Sequence, residues 1–136
     1  SVFGVGEAPF GYASSPHERG IVRFTVKRMG TLTQELHRLG EGDVIGMRGP
    51  LGNPFDLTRL AGKDLIVVGG GYAFTTLRSL IAYLLTPEHR EEVNHITLFY
   101  GVRFPGLFLY KDELERWKTA GDFSLHLTVD TAGEEW

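Results

Sequence analysis

The sequence predicts an α/β fold in two unequal parts, a β-rich opening segment that reads as the end of a barrel or sandwich and a doubly wound half-domain built on a parallel sheet. Three observations predict it. Residues 21–29 alternate apolar and polar side chains with period two. Leu65–Val68 is a continuous apolar run that ends in Gly69-Gly70-Gly71, as expected of a strand buried on both faces of a parallel sheet. From there a strand, helix, strand, helix, strand order runs to Val129.

Taken in order, Ile21–Met29 is a half-buried strand with Val22, Phe24 and Val26 on one face and Arg23, Thr25 and Lys27 on the other. Thr31–Leu39 is a short helix, because Leu32, Leu36 and Leu39 share a face and Gly40 is a suitable stop. Asp43–Arg48 is a second strand, followed by the turn-rich run Gly49–Pro54. The boundary between the parts falls near Asp56–Lys63. Beyond it, Asp64–Gly69 is the first parallel strand, and the helix that follows to Leu85 carries Leu77, Leu80, Ile81 and Leu84 as an apolar stripe. His95–Tyr100 is the next strand, Gly101–Phe108 a loop, Lys111–Lys118 a helix and Phe123–Val129 the third strand.

Composition removes several functions. The 136 residues carry a formal net charge of -3, so there is no basic footprint for nucleic acid or an anionic membrane. With no cysteine, the sequence has no disulfide, no thiolate zinc site and no cysteine-ligated iron–sulfur cluster. No apolar run approaches the roughly 20 residues of a membrane helix, so no membrane insertion is expected. Five histidines are scattered without an i, i+4 pair, and no metal site is expected. The excess is in glycine, 18 residues, which marks tight turns or close backbone approach.

Four segments could carry chemistry. Gly69, Gly70 and Gly71 lie where a buried strand passes into a helix, which suits a diphosphate or, equally, any tight β-to-α turn. Phe10, Gly11, Tyr12, Ala13 and Ser14 combine aromatics and hydroxyls fit to hold a planar ring, or form a strand end with a core aromatic. Gly30, Thr31, Leu32 and Thr33 offer free N–H groups and hydroxyls for an anion, or a plain helix cap. Gly101 and Arg103 follow the second parallel strand, on the sheet edge where α/β folds take ligands, and Arg103 could instead be a solvated loop residue.

In this order, and together with Gly6–Pro16, Arg48-Gly49-Pro50-Leu51-Gly52-Asn53-Pro54-Phe55 and Thr76–Leu80, these segments resemble the ferredoxin–NADP reductase superfamily of flavoproteins. More narrowly the chain is similar to FAD- and NAD(P)-binding electron-transfer subunits such as those of dihydroorotate dehydrogenase and anaerobic sulfite reductase and the sulfhydrogenase gamma subunit. The resemblance implies that residues 1–58 are part of a FAD-binding β-barrel and residues 59–136 part of an NAD(P)-binding α/β domain. It implies that Phe10 contacts the flavin ring, that Gly11, Tyr12, Ala13 and Ser14 line the same face, and that Gly30, Thr31, Leu32 and Thr33 hold the FAD diphosphate. Gly69, Gly70 and Gly71, with Tyr72, Ala73, Thr75 and Thr76 of the following helix, match the nicotinamide dinucleotide site, and Gly101 and Arg103 its adenosine end.

The function implied is that of a cytoplasmic electron-transfer subunit, of the kind found with hydrogenases. Electrons pass from NAD(P)H through FAD to an iron–sulfur or catalytic partner subunit, and no residue of this chain is a catalytic acid or base. The chain is then expected to be a segment of a longer protein, with a [2Fe-2S] cluster only in the cysteine-bearing part beyond it. Ala8 and Gly11 stand where the superfamily usually has Arg and Ser, and Ala73 and Thr76 where it has glycine and proline. A methyl at Ala73 would obstruct the nucleotide if that position needs φ > 0, whereas the Thr75 and Thr76 hydroxyls would supply phosphate contacts. These departures keep open a docking or scaffold subunit that retained the fold and lost its cofactors, or a site with a changed ligand lined by Tyr72 and Phe74.

Overall fold

The computed structural model describes residues 1–133 and 136. Its elements are α1 (Thr31–Leu36), α2 (Leu57–Leu60), β1 (Leu65–Gly70), α3 (Phe74–Leu84), β2 (Ile96–Val102), α4 (Lys111–Trp117) and β3 (Phe123–Val129). The three strands form one parallel sheet in the order β1-β2-β3, with Val67 opposite Leu98 and Leu98 opposite Leu125. Parallel neighbours need long crossovers, and α3 and α4 supply them. Among the described residues no helix is long and apolar enough to cross a membrane.

The core lies on one face of this sheet. Leu65, Val67, Ile96, Leu98, Tyr100 and Phe123 meet Phe74, Ile81 and Leu84 of α3 and Leu114 and Trp117 of α4. Each large side chain removed from water in this way contributes about 1.5–3 kcal/mol. Gly69 lets α3 close on β1, since a Cβ there would lie 2.5 Å from a Leu77 methyl. At the opposite end of the strands the Arg90 guanidinium donates to the carbonyls of Val93, Asn94, Gly121 and Asp122, which fixes the loops entering β2 and β3.

The expectation that β1 is buried on both faces is corrected. Ile66 and Val68 are 74% and 70% exposed, because both crossover helices cover the same face. Phe99 stacks on His126 across the open face, with ring centroids 4.7 Å apart.

The opening part departs further from the sequence pattern. Ile21–Met29 and Asp43–Arg48 do not form ladder strands. A strand is made by its partner, and among the described residues the pairing of these segments is isolated: Ala13 N–H donates to the Arg23 carbonyl at 2.8 Å, and Gly46 pairs with Ser1, its N–H donating to the Ser1 carbonyl at 3.0 Å and its carbonyl accepting from the Ser1 amino group. Val22, Val44 and Met47 are consequently exposed. The helix predicted over Thr31–Leu39 ends at Leu36, where the next residue, His37, turns its ring to the Val26 carbonyl at 2.8 Å. The boundary segment contains the short helix α2, whose start is fixed by a hydrogen bond from the Thr58 hydroxyl to the Asp56 carboxylate at 2.6 Å.

Candidate functional site

The two parts meet where residues 10–15 lie against the first turns of α3. Ala13, Ser14 and Ser15 are buried there. The Ser79 hydroxyl donates to the Ser14 carbonyl at 2.7 Å, and the Ser14 hydroxyl accepts from Arg23 N–H at 3.0 Å. Gly11 passes so close to Thr76 that a Cβ would collide with its hydroxyl. The glycine at the position where the superfamily has serine thus has a local cause.

Beside this contact runs a groove of about 870 Å³, within the size range of cofactor sites. Phe10, Gly11, Lys27 and Thr33 form one wall, and Gly71, Tyr72, Thr75, Gly101 and Arg103 the other. The register places Gly70 opposite Gly101, so the glycine turn and the Gly101–Arg103 segment share the carboxyl edge of the sheet. Lys27 lies over the Tyr72 ring, its Nζ 6.0 Å from the centroid, and Asp130 joins the lining.

The glycine wall has a defined shape. Gly71 has φ of 52°, in the left-handed region, and leads into a short 3-10 turn, Gly71–Ala73. Tyr100, fully buried and stacked on Phe74 at 4.0 Å, donates its hydroxyl to the Gly71 carbonyl at 3.1 Å and accepts from Leu109 N–H at 3.3 Å. Burial pushes the Tyr100 hydroxyl above its ordinary value, which keeps it a neutral donor. Ala73 has φ of -60° and ψ of -23°, an ordinary helical conformation. Its methyl group is therefore unstrained, and the glycine requirement sits at residue 71. Gly101 is closed from behind by the Thr128 hydroxyl, 2.9 Å from where a Cβ would stand.

The sequence-derived candidates divide by place. Phe10, Gly11, Thr33, Gly71, Tyr72, Thr75, Gly101 and Arg103 come together on this groove. The Thr75 hydroxyl donates to the Tyr72 carbonyl at 2.9 Å. Tyr12, Leu32 and Thr76 line a larger groove of about 1510 Å³, over the apolar face of the opening segments, and Phe10 and Gly11 border both grooves. Ala13 and Ser14 are buried, whereas Gly69, Gly70 and Ala73 lie along the strand end and 3-10 turn without lining either groove, Gly70 and Ala73 being exposed. Gly30 and Thr31 are exposed at the start of α1, where the Thr33 hydroxyl accepts from Met29 and Gly30 N–H at 2.8 and 2.9 Å.

Lys27 and Asp130 lie outside the motifs, and Arg78 lies inside the Thr76–Leu80 segment without a site role assigned to it. Arg78 alone left a trace, a charge on the stripe Phe74, Arg78, Ile81 where helical spacing calls for an apolar residue. Its guanidinium lies behind the groove and joins Glu113 at 2.7 Å and Glu18 at 3.0 Å. The exposed aromatics Phe10 and Tyr72, the glycines Gly11, Gly71, Gly101 and Gly106 and the cations Lys27 and Arg103 make a wall set suited to a planar ring with a phosphate-bearing tail.

Residues 67–136 match the family model described as the oxidoreductase NAD-binding domain. The sulfhydrogenase 2 gamma subunit of Pyrococcus furiosus is 38% identical over 82% of this chain and 37% of its own length. A probable dihydroorotate dehydrogenase B (NAD(+)) electron transfer subunit of Methanocaldococcus jannaschii is 32% identical over 83% of this chain and 38% of its own. Among solved structures, an NADH-dependent reduced ferredoxin-NADP oxidoreductase, determined for its flavin-based electron bifurcation, superposes with a TM-score of 0.71 at 30% identity. It covers 93% of this chain and 42% of that one. The chain thus spans about two-fifths of the length of the curated relatives it matches.

Proposed function

Because this chain belongs to the oxidoreductase NAD-binding domain family, we propose that it forms the junction of an NAD(P)H-dependent flavin oxidoreductase, within a subunit that carries electrons to an iron–sulfur partner. Residues 1–58 are assigned to a FAD-binding barrel and residues 59–136 to an NAD(P)-binding domain. The observation that carries this reading is the groove that gathers Phe10, Gly11 and Thr33 from one part with Gly71, Gly101 and Arg103 from the other.

A bound flavin would supply the exchange between two-electron chemistry with the nicotinamide and one-electron chemistry with the partner. The chain's own residues bind and orient. Phe10 and Tyr72 offer aromatic faces to the rings. Gly71 and Gly101 let the nucleotide approach the backbone. Lys27 and Arg103 neutralise phosphate charge, and the turn of Gly30, Thr31, Leu32 and Thr33 takes the FAD diphosphate. The remaining candidates support this set: Tyr12, Ala13 and Ser14 hold the flavin loop, and Gly69, Gly70, Ala73, Thr75 and Thr76 shape the nucleotide turn. The sequence has no cysteine, so a [2Fe-2S] centre would be held by residues outside it. The partner is an iron–sulfur or catalytic subunit of a redox complex, of the kind named for the relatives, and the compartment is the cytoplasm.

An absorption spectrum of the full-length protein, with NAD(P)H-dependent dye reduction, tests the reading; absence of both flavin absorbance and reduction overturns it. Arg103→Ala should weaken NAD(P)H binding about tenfold, as expected for one charge-assisted contact, measured by titration. A non-catalytic scaffold is the second reading, and under it Arg103→Ala changes nothing. Two of the four departures that favour a scaffold, Gly11 and Ala73, have local packing or backbone causes.

A further inference from the structure

Arg78 is 7% exposed and sits on the buried side of α3. Burying a guanidinium is costly, and an apolar residue of like volume often stabilises a fold as well or better. What the charge provides here is geometry. Nε and one terminal nitrogen grip the Glu113 carboxylate at 2.8 and 2.7 Å. The other terminal nitrogen donates to Glu18 at 3.0 Å and to the Ala13 carbonyl. The Tyr110 ring covers the guanidinium carbon at 5.1 Å.

The acceptors belong to both parts of the chain. Glu113 is on α4, whose first turn starts at Tyr110 just after the groove residues Gly106–Leu109, and the Tyr110 hydroxyl reaches back to Thr25. Ala13 and Glu18 flank the turn that continues from Phe10 and Gly11. Neither Arg78 nor any of its acceptors lines the groove. One rigid planar group therefore refers both walls to a single point, and a lysine, a point charge on a flexible stem, cannot reproduce the fork.

We infer that Arg78 is a positioning residue that sets the distance between the flavin side and the nicotinamide side of the groove, acting through the Ala13 carbonyl and Glu113. The inference rests on the flavin oxidoreductase reading above. A displacement of about 1 Å between reacting groups costs on the order of 100-fold in rate even when its cause is remote.

The test compares full-length wild type with Arg78→Met, Arg78→Lys and Glu113→Gln. Each variant is followed by FAD content, NAD(P)H dissociation constant, single-turnover flavin reduction and amide hydrogen exchange at Ala13, Ser15 and Arg23. Arg78→Met is expected to keep its FAD and bind NAD(P)H within about threefold of wild type, while flavin reduction slows about 10–100-fold. Exchange at Ala13 and Arg23 should quicken about tenfold or more, because the register of the loop is released. Arg78→Lys should behave like Arg78→Met, and Glu113→Gln should show a smaller effect of the same sign. If Arg78→Met fails to fold, the other two variants carry the test.

Unchanged reduction and unchanged exchange overturn the inference. So does a loss of rate fully explained by lost FAD or weakened NAD(P)H binding, since that marks a merely structural residue. If wild type itself takes no electrons from NAD(P)H, the functional reading fails instead, and amide exchange in the variants still decides whether Arg78 fixes the loop.

Discussion

A left-handed backbone at residue 71, with φ of 52°, costs an L side chain about 1–2 kcal/mol, and the carbonyl of the same residue is held by the Tyr100 hydroxyl. Gly71→Ala should therefore lower the unfolding free energy by about 1–2 kcal/mol and weaken NAD(P)H binding, checked by urea denaturation and nucleotide titration. Ala73 is the opposite case. Its φ of -60° is helical, so Ala73→Gly should cost about 0.5–1 kcal/mol and leave NAD(P)H affinity where it was. Tighter binding by Ala73→Gly would show that the methyl obstructs the site after all. Gly11 and Thr76 form a pair of the same kind, because a Cβ on Gly11 would strike the Thr76 hydroxyl. Gly11→Ala should destabilise, and Thr76→Ala in the same chain should recover part of the loss; additivity in the double-mutant cycle would mean the two do not touch.

At the level of elements, β1 separates what a pattern says from what packing does. The run Leu65–Val68 is uniformly apolar, yet Leu65 is 8% exposed and Ile66 is 74% exposed. Leu65→Ala should cost about 2–4 kcal/mol and Ile66→Ala no more than about 0.5 kcal/mol, compared by denaturant midpoints; equal costs would mean that Ile66 is covered in solution. The strand, helix, strand order was legible because propensity, period and turn chemistry agree along residues 64–129. The opening strands were not, since Ile21–Met29 has strand alternation but a ladder depends on a second strand that no local pattern supplies. The site was legible in the same proportion. Gly71, Gly101 and Arg103 follow from being at strand ends, whereas Lys27 and Asp130 reach the groove only because two distant segments meet there. Arg78 was visible as a charge out of phase with its helix, a signal that separates a buried hub from a surface residue only when its acceptors are known.

Across the whole molecule, the two parts are joined by a balanced set of four charges, Arg23, Glu18, Arg78 and Glu113, with the Ala13 carbonyl between them. Burial raises the pKa of the Glu18 carboxyl, but the Ser15 N–H, Arg78 and Arg23 together outweigh it, so Glu18 lies below its ordinary value of 4.5. Burial likewise lowers Arg78, and Glu113 and Glu18 more than restore it, so Arg78 stays charged throughout. A carboxyl whose folded pKa is depressed contributes stability that is complete above its unfolded value. That stability is lost as pH falls through the folded value. The junction should therefore weaken as pH drops below about 4.5, and residues 13–18 should release from α3 before the sheet unfolds. Glu7, lowered by its hydrogen bond and ion pair with Arg48, adds its own acid slope. That contribution is common to wild type and Glu18→Gln and cancels in their difference. Urea midpoints measured from about pH 6 to about pH 3 should fall more steeply for wild type than for Glu18→Gln, with the curves converging at the acid end. Parallel curves would mean that Glu18 titrates alike in the folded and unfolded chains, and that the charge network does not couple residues 13–18 to α3 and α4.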